Sequence, residues 1–470
     1  MSSLELSCFK AYDVRGEIGI DLNEDIMYRV GRAAAEHMHA KKTIVGYDSR
    51  ETSENYASEV AKGLCDAGSN VLMIGMAGTE EMYWAVSEFS ACLGIEITAS
   101  HNPINYNGAK IVKSGSKPLD FIKDFSYIKR IAEIGDWLAP SNKGTQLDVA
   151  IEARAKYVKR IVSFIDTASF KPMKVVINCG NGTAGPTLDA IIESLNRSGV
   201  PINFICINHN PDPGFPNGVP NPMLPENHAA TSDIVKQTGA DLGIAFDGDF
   251  DRCFFFDEHG NFVPGEFVVG IFVSMFLERE KGAKIVYDPR VIWNILEISK
   301  KKGGIAVQSE TGHSNFKNAM RNSRAIYGGE VSAHHYFRDF AFCDSGMIPW
   351  LLLIEYMSKE KVSLGEILKS RQLIYTSSGE INLKVNDADE IIESVHEQFR
   401  NHGDIDLTDG ISISFIDWRF NLRKSNTEPL LRLNVETYNN ASKLKEYVKT
   451  MLDVIENYKN SSINVQDKKK

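Results

Sequence analysis

Three aspartates within a five-residue segment form the most distinctive chemical feature of the sequence. Asp247, Asp249 and Asp251 stand between two apolar runs, Leu242–Phe246 and Cys253–Phe256. Carboxylates this close raise one another's pKa and destabilise a loop unless a cation neutralises them. Oxygen ligands suit Mg²⁺ or Ca²⁺, and a site that leaves room for a phosphate oxygen suits Mg²⁺ better. The glycine and the distal glutamate of an EF-hand are missing, so the segment is not an EF-hand. The pattern predicts a magnesium site between two strands.

A serine in the segment Thr98–Pro103 is a second candidate for chemistry. The segment follows the apolar run Leu93–Ile97, and another apolar run, Ala109–Val112, begins after an intervening turn signal. A turn between two buried strands can expose the Ser100 hydroxyl as a nucleophile. In the alternative interpretation, the serine and asparagine of this turn only hydrogen-bond their own backbone.

Two further polar loops have the composition to bind a phosphorylated sugar. Arg423–Pro429 combines two cations with hydroxyl and amide donors, which suit a phosphate group, although a simple polar hairpin loop is an equal alternative. Gly328–Phe337 places Glu330 and Ser332 on one side of an extended segment. Two histidines follow, and these side chains can contact sugar hydroxyls or move protons near neutral pH. The alternative for this segment is an ordinary surface loop.

The segment Gly180–Gly185 fits the glycine pattern of dinucleotide-binding folds. Such a fold requires an acidic residue at the end of the next strand, about 20 residues further on. That strand, Ile202–Asn208, is followed by His209 and Asn210, and no acid is present. The glycines therefore indicate a tight turn from a strand into a helix, and a nicotinamide-dependent oxidoreductase is disfavoured.

Short β-branched runs alternate with amphipathic helical stretches over most of the chain, a pattern typical of parallel α/β units. The runs fall into three groups: Thr43–Asp48, Asn70–Gly75 and Leu93–Thr98; Lys174–Cys179, Ile202–Asn208 and Asp241–Phe246; Lys284–Asp288, Gly304–Gln308 and Arg324–Tyr327. This repetition predicts three similar mixed α/β domains, over residues 1–147, 148–261 and 262–372.

The C-terminal part mixes strands and helices without this alternation, so the sequence predicts a smaller α+β domain over residues 373–460. Its expected elements are strands at Gly379–Val385, Ile411–Phe415 and Leu430–Thr437 and helices at Asp387–Phe399 and Ala441–Tyr458. The polar residues 461–470 are expected to form a disordered tail. The predicted fold class is therefore α/β with an α+β domain at the end.

Composition and charge exclude several classes of protein. Of 470 residues, 43% are apolar and 24% are charged, which excludes a disordered or fibrous chain. The 52 basic and 62 acidic residues give a net charge of −10, which disfavours a general nucleic-acid binder. The seven cysteines are dispersed, no signal-peptide pattern is present, and the apolar runs are shorter than the about 20 residues of a membrane span. We expect a cytoplasmic enzyme without nucleic-acid or membrane partners.

Taken together and in this order, the loops resemble those of the α-D-phosphohexomutase superfamily. The similarity begins at Phe9–Gly16 and ends at Arg423–Thr427, so it covers nearly the whole chain. Within the superfamily, the segments Tyr287–Arg290, Glu330–Phe340 and Asp344–Trp350 are most similar to bacterial phosphomannomutases of the GDP-mannose route. The resemblance implies four domains around a central cleft, each contributing one loop.

The resemblance also implies the chemistry. Ser100 would carry a phosphoryl group, pass it to a hexose phosphate, and recover it from a hexose 1,6-bisphosphate that has turned around in the cleft. The expected cofactors are one Mg²⁺ per chain, bound by Ser100, Asp247, Asp249 and Asp251, and the bisphosphate as intermediate and activator. The expected function is the interconversion of mannose 6-phosphate and mannose 1-phosphate for GDP-mannose synthesis.

Further site residues follow from the same resemblance. Lys110 and His334 are expected to shuttle protons, Arg15 to position the substrate and stabilise charge, and His101 to take part in catalysis. Glu330 and Ser332 are expected to bind the 3- and 4-hydroxyls of the sugar. The complete expected set of substrate-binding residues is Tyr12, Arg252, Arg290, His313, Glu330, Ser332, Arg423, Ser425, Asn426 and Thr427.

Two other functions stay open at this point. A dual-specificity phosphomannomutase and phosphoglucomutase would use the same loops, because mannose and glucose differ only at the 2-hydroxyl. A non-catalytic sugar-phosphate-binding homologue should have lost the serine or an aspartate, and both are present. The expected partners are small-molecule hexose phosphates, and the expected assembly is a monomer or a homodimer.

Overall fold

The computed structural model describes residues 5–139, 142–425 and 430–466, and the chain divides into two compact units. The first unit is Met1–Val263 together with Ser332–Leu364. The second unit is Pro264–Val331 together with Gly365–Lys470. Residues 262–372, which the sequence predicts as the third domain, therefore contribute to both units.

Strands and helices alternate through most of the chain, as the sequence predicts. The strands are β1 (Val14–Glu17), β2 (Lys42–Tyr47), β3 (Asn70–Met76), β4 (Leu93–Ile97), β5 (Tyr106–Lys113), β6 (Lys117–Pro118), β7 (Gln146–Asp148), β8 (Met173–Asn178), β9 (Ile202–Ile207), β10 (Leu242–Phe246), β11 (Cys253–Phe256), β12 (Lys284–Tyr287), β13 (Ile305–Gln308), β14 (Tyr327–Gly329), β15 (His335–Phe337), β16 (Cys343–Asp344), β17 (Tyr375–Lys384), β18 (Asp404–Asp406), β19 (Ile411–Ser414), β20 (Trp418–Lys424) and β21 (Leu430–Tyr438).

The α-helices differ in length and in how much of their surface is buried. They are α1 (Glu24–Met38), α2 (Ser53–Asp66), α3 (Thr79–Glu88), α4 (Ser126–Ile134), α5 (Ala150–Val162), α6 (Ala184–Arg197), α7 (Ala229–Thr238), α8 (Gly265–Arg279), α9 (Trp293–Lys301), α10 (His313–Ser323), α11 (Met347–Glu360), α12 (Leu364–Gln372), α13 (Ala388–Phe399) and α14 (Leu444–Gln466). Among the described residues, no helix combines the length and the apolarity that crossing a membrane requires.

A seven-stranded sheet forms the first layer of the first unit. Its strands run in the order β1-β5-β4-β2-β3-β7, with β6 beside β5. Strands β4, β2 and β3 are mutually parallel, and β5 is antiparallel to β4. All five residues of β4 are buried, and Glu96 is its one charged residue. The loop that contains Ser100 leaves the carboxyl end of β4 and returns through β5, as the sequence predicts.

A four-stranded sheet in the same unit has the order β11-β10-β8-β9. Strands β10 and β11 are antiparallel and fully buried, and Phe246 pairs with Cys253 at the end of this hairpin. The aspartate-rich segment is therefore the loop of a buried hairpin. The glycine-rich segment Gly180–Gly185 is the turn from β8 into α6, as predicted.

The stretch from Ser332 to Leu364 completes the first unit with a short hairpin and a helix. Strands β15 and β16 are antiparallel, with Tyr336 opposite Asp344. The helix α11 follows. It is hydrophobic on nearly all sides, which is typical of a helix most of whose residues are buried. Its residue Trp350 contacts the ring of Phe204 edge-on.

The second unit contains three parallel strands in the order β13-β12-β14 and a separate antiparallel sheet in the order β17-β21-β20-β19-β18. The antiparallel sheet packs its alternate apolar residues against α13 and α14, and the resulting core includes Val395, Leu422, Leu433 and Ile455. This is the small α+β domain that the sequence predicts.

Three local predictions differ from the structure. Arg423 lies on strand β20 and not in a loop, because the run contains buried charged residues that hide its strand pattern. Strand β14 begins only at Tyr327, since Arg324 ends helix α10 in a left-handed conformation. Helix α14 continues to Gln466, into the segment expected to be disordered, and residues 467–470 lie outside the described residues.

The core of the C-terminal sheet gives a stability prediction with an internal control. Leu433 is fully buried, so Leu433→Ala should lower the free energy of unfolding by about 2–5 kcal/mol through lost burial and a cavity. Ile416 lies in the same domain but is 97% exposed, and Ile416→Ala should change the stability by less than about 0.5 kcal/mol. Chemical denaturation followed by circular dichroism measures both, and equal effects would contradict the described core.

Candidate active site

The loop between β10 and β11 buries three carboxylates in one place. Asp247 and Asp249 are fully buried and Asp251 is 1% exposed. One oxygen of each lies within 4.8 Å of the others, which is the spacing of ligands around a single metal ion. The intervening Phe250 has a φ of +42° and is itself buried, so the loop turns sharply at its centre.

The pattern of hydrogen bonds at these aspartates fits a divalent cation. The Lys110 ammonium donates to Asp249 Oδ2 at 2.7 Å and to Asp251 Oδ2 at 2.6 Å. The Oδ1 atoms of both aspartates are buried and accept no hydrogen bond from the described part of the chain. Buried carboxylate oxygens without a donor are costly, and a hard cation with oxygen ligands removes that cost.

Lys110 reaches the loop from β5, where its backbone lies opposite Glu96 of the adjacent strand β4. Burial alone would lower the pKa of the ammonium group, but the adjacent carboxylates of Asp249 and Asp251 raise it above its usual value. Lys110 in turn holds the pKa of Asp249 below its usual value, despite the opposing effect of burial. Lys110 is therefore a fixed positive charge within the acidic loop.

The turn after β4 aims the Ser100 hydroxyl at this acidic loop. Ser100 is only 4% exposed and has a φ of +49°, a conformation that residues other than glycine seldom adopt. Its Oγ donates to Asp247 Oδ2 at 2.8 Å and lies 3.1 Å from His101 Nδ1. A candidate phosphoryl acceptor and a candidate metal site thus lie together in the first unit.

Arg50 holds in place the loop between β4 and β5 (residues 98–105, the serine loop), and the sequence analysis did not find this arginine. Its guanidinium donates to the carbonyls of Ser100 (2.9 Å), Asn102 (2.6 Å), Pro103 (2.9 Å) and Tyr106 (2.9 Å). The signal available in the sequence was its position just after β2, the strand beside β4. Because the carboxyl ends of parallel strands meet at one edge of a sheet, a polar residue just after β2 can reach the loop that follows β4.

His101 and Arg252 form a second contact between the two loops. Arg252 donates to Asp247 Oδ2 at 2.9 Å and to His101 Nδ1 at 2.5 Å. Burial and the nearby guanidinium groups of Arg252 and Arg15 hold the pKa of His101 well below its usual value. His101 is therefore a neutral hydrogen-bond acceptor. Arg15 itself donates to Asn102 Oδ1 at 2.8 Å, on the same serine loop.

His334 lies beside the acidic loop, and Asp344 orients its ring. The sequence analysis did not assign Asp344 a role in the site. The Nδ1 of His334 is 3.0 Å from Asp344 Oδ2 and 3.9 Å from Asp251 Oδ1. A carboxylate at Nδ1 favours the tautomer that carries its proton there and its basic lone pair on Nε2. Ser332 and Tyr12, two further expected site residues of this unit, are half-buried.

In the second unit, Glu380 gathers three arginines around one carboxylate. Arg423 donates to Glu380 Oε2 at 2.8 Å, Arg432 lies 3.0 Å from Oε1, and Arg290 lies 3.6 Å from Oε2. The three guanidinium groups lower the pKa of Glu380, against the effect of its burial. The sequence analysis predicted Arg290 and Arg423 as site residues but found neither Glu380 nor Arg432.

The sugar-binding candidate Glu330 belongs to the same cluster. Its Oε1 lies 3.5 Å from Arg290 and accepts a hydrogen bond from the N–H of Gly312 at 3.0 Å. His313 follows as the first residue of α10, and Ser425 bonds through its N–H to the carbonyl of Leu430. Asn426 and Thr427, also expected to bind phosphate, lie outside the described residues.

Four successive segments match sequence profiles of one protein family. Residues 7–133, 155–260 and 264–374 match alpha/beta/alpha domains I, II and III described as phosphoglucomutase/phosphomannomutase, and residues 380–454 match the C-terminal domain. Together these matches cover most of the chain in the family's domain order.

Known proteins are similar to the chain over nearly its full length. It is 49% identical to a phosphomannomutase of Escherichia coli, over 92% of this chain and 95% of that protein. It is 46% identical to a phosphomannomutase of Vibrio cholerae, over 96% of this chain and 98% of that protein. A crystal structure of a phosphoglucomutase/phosphomannomutase family protein from Burkholderia thailandensis has a TM-score of 0.85 at 27% identity, over 96% of this chain and 98% of that one.

The acidic loop predicts measurable metal binding. Asp251→Asn removes one anionic oxygen ligand, so the affinity for Mg²⁺ should fall about ten-fold or more. Isothermal titration with MgCl₂ measures the effect, and Asp189→Asn, at an exposed position, is the control. Equal affinities of the Asp251→Asn variant and the parent would show that the loop is not the metal site.

Proposed function

Because the chain belongs to the phosphoglucomutase/phosphomannomutase family, we propose that it interconverts mannose 6-phosphate and mannose 1-phosphate. Mannose is the proposed sugar because the relatives described above are named phosphomannomutase. The observation that carries the proposal is the Ser100 hydroxyl, which lies 2.8 Å from Asp247 in a buried acidic loop. Its product, mannose 1-phosphate, then supplies GDP-mannose synthesis.

The proposed reaction starts with a phosphoryl group on Ser100. The bond between phosphorus and Ser100 Oγ breaks while a bond forms between phosphorus and a sugar hydroxyl oxygen, whose proton passes to a base. The 1,6-bisphosphate then turns around, and its other phosphoryl group is transferred to Ser100 Oγ. The sugar leaves with its phosphate at the other position, and Ser100 is phosphorylated again.

Phosphoryl transfer depends mainly on neutralised charge and correct placement. A phosphoserine carries about −1.5 to −2 charges near neutral pH, so it requires cations close to it. Lys110 and Arg252 are the buried cations that bond to the acidic loop, and Arg15 contacts the serine loop. Ser100 and the three aspartates would hold a magnesium ion, and that ion would supply further positive charge near the phosphoryl group.

We assign the proton transfer to His334. Lys110, the other expected proton shuttle, already donates to the carboxylates of Asp249 and Asp251, so we assign it to charge neutralisation. His334 has an imidazole that Asp344 orients through Nδ1, so that Nε2 can accept the proton of a sugar hydroxyl and return it. His101 takes a positioning role, because its neutral ring accepts a hydrogen bond from Arg252.

Substrate binding is assigned to the remaining residues of the expected set. Glu330 and Ser332 bind the 3- and 4-hydroxyls, which occupy equivalent places in both orientations of the sugar. Arg423, with Ser425, Asn426 and Thr427, binds the phosphate that is not reacting. The other proposed contacts to the sugar and its phosphates come from Tyr12, Arg252, Arg290 and His313. The ion pairs of Arg290 and Arg423 with Glu380 support this assignment, because they fix both guanidinium groups before an anion binds.

The choice of sugar is tested by comparing two substrates under identical conditions. We expect a higher kcat/KM for mannose 1-phosphate than for glucose 1-phosphate in coupled assays with catalytic glucose 1,6-bisphosphate and Mg²⁺. Equal values would identify a dual-specificity enzyme, since the two sugars differ only at the 2-hydroxyl. A higher value for glucose 1-phosphate would contradict the proposal.

The nucleophile is tested by Ser100→Ala. This variant should lose at least about 10³-fold in kcat, because the covalent step has no acceptor oxygen. Intact-mass spectrometry after incubation with the bisphosphate should show one added phosphate on the parent and none on the variant. A phosphate on the variant would place the nucleophile elsewhere, and a parent without phosphate and without turnover would indicate a non-catalytic sugar-phosphate binder.

A further inference from the structure

The first turn of helix α3 is buried against the acidic loop. Thr79 is fully buried; its Oγ1 donates to Asp249 Oδ2 at 2.5 Å, and its N–H donates to the carbonyl of Asp249 at 3.3 Å. Lys110 bonds to the same Oδ2 atom. Both donors thus occupy Oδ2, which leaves the lone pairs of Asp249 Oδ1 available to a cation.

The next residue, Glu80, forms hydrogen bonds to the segment that follows Asp344. Its carboxylate accepts hydrogen bonds from Ser345 Oγ at 2.8 Å, from the N–H of Met347 at 3.2 Å, and from the N–H of Gly346. Ser345 directly follows Asp344, the residue that orients His334. Glu80 is fully buried, so these bonds are not in competition with water.

Close backbone packing shows that the two helix starts confine the acidic loop. A Cβ atom at Gly78, just before α3, would lie 2.3 Å from the ring of Phe250. A Cβ atom at Gly346, just before α11, would lie 2.4 Å from the carbonyl oxygen of Phe250. The loop is therefore packed tightly against both helix starts and has no room to shift toward either.

We propose that Thr79 and Glu80 are positioning residues. Thr79 orients the Asp249 carboxylate so that Oδ1 faces the metal site, and Glu80 fixes the position of Asp344 and, through it, of His334. Thr79 acts through one hydrogen bond to a carboxylate oxygen. Glu80 acts through the backbone and side chain that follow Asp344. The metal-binding half stands on geometry alone, whereas the half concerning His334 rests on the proposed function.

The test of Thr79 is direct metal binding. Thr79→Val keeps the shape but removes the donor, so the affinity for Mg²⁺ in isothermal titration should fall about ten-fold or more, while Thr79→Ser should restore it. An unchanged affinity in Thr79→Val would overturn this half of the proposal. If Thr79→Val fails to fold, Thr79→Ala takes its place with the same expected results.

The test of Glu80 uses kinetics, with its neighbour as control. Glu80→Gln replaces one carboxylate oxygen with an NH₂ group, so either Ser345 Oγ or the N–H groups of Gly346 and Met347 lose their acceptor. The value of kcat should therefore fall about ten-fold and its pH profile should shift, with KM and the Mg²⁺ affinity unchanged. Glu81→Gln is the matched control, because buried Glu81 bonds to Arg154 and Thr187 instead. We expect it to change neither the pH profile nor the Mg²⁺ affinity.

The outcomes separate the proposal from its premise. Equal changes in Mg²⁺ affinity and in pH profile in Thr79→Val, Glu80→Gln and Glu81→Gln would indicate a merely structural role for these residues and would overturn the proposal. A parent protein without mutase activity would refute the proposed function, yet the loss of Mg²⁺ affinity in Thr79→Val would still establish the role of Thr79.

Discussion

Burial of three carboxylates in one hairpin loop is the constraint on which the first unit depends. Asp247, Asp249 and Asp251 have almost no contact with solvent, and like charges in such a place repel one another strongly. Such a loop is stable only when cations and donors surround it. The ammonium of Lys110 and the guanidinium of Arg252 supply part of this charge, and the two oxygens without a donor leave room for a metal ion.

The same constraint explains why side chains around the loop form hydrogen bonds to backbone groups and so fix their positions. The Arg50 guanidinium donates to three carbonyls of the serine loop and to the carbonyl of Tyr106, the first residue of β5. The Glu80 carboxylate accepts from the start of α11. Phosphoryl transfer requires reacting atoms to be placed within a few tenths of an ångström, and loops do not hold such positions unaided. Buried supporting residues give the loops the rigidity of the adjacent strands and helices.

The second unit applies the opposite arrangement, one carboxylate among several cations. Glu380 contacts Arg290, Arg423 and Arg432, so the guanidinium groups are fixed without an anion from outside. The chain as a whole carries a net charge of −10. Local clusters of this kind reconcile an acidic protein with an anionic sugar phosphate, because attraction over a few ångströms depends on the nearest charges and not on the total.

The sequence by itself determined the strand and helix order and the small C-terminal domain, and it predicted Ser100 and the three aspartates as site residues. Each of these signals lies within a few consecutive residues, where spacing and apolar pattern report directly on local structure. Only the tertiary structure decided the partners: Lys110 on two aspartates some 140 positions away, Arg50 on the serine loop, Asp344 on His334, and Glu380 among arginines. Such contacts are set by strand register and helix packing, which join residues far apart in the chain, and a local pattern carries no information about them.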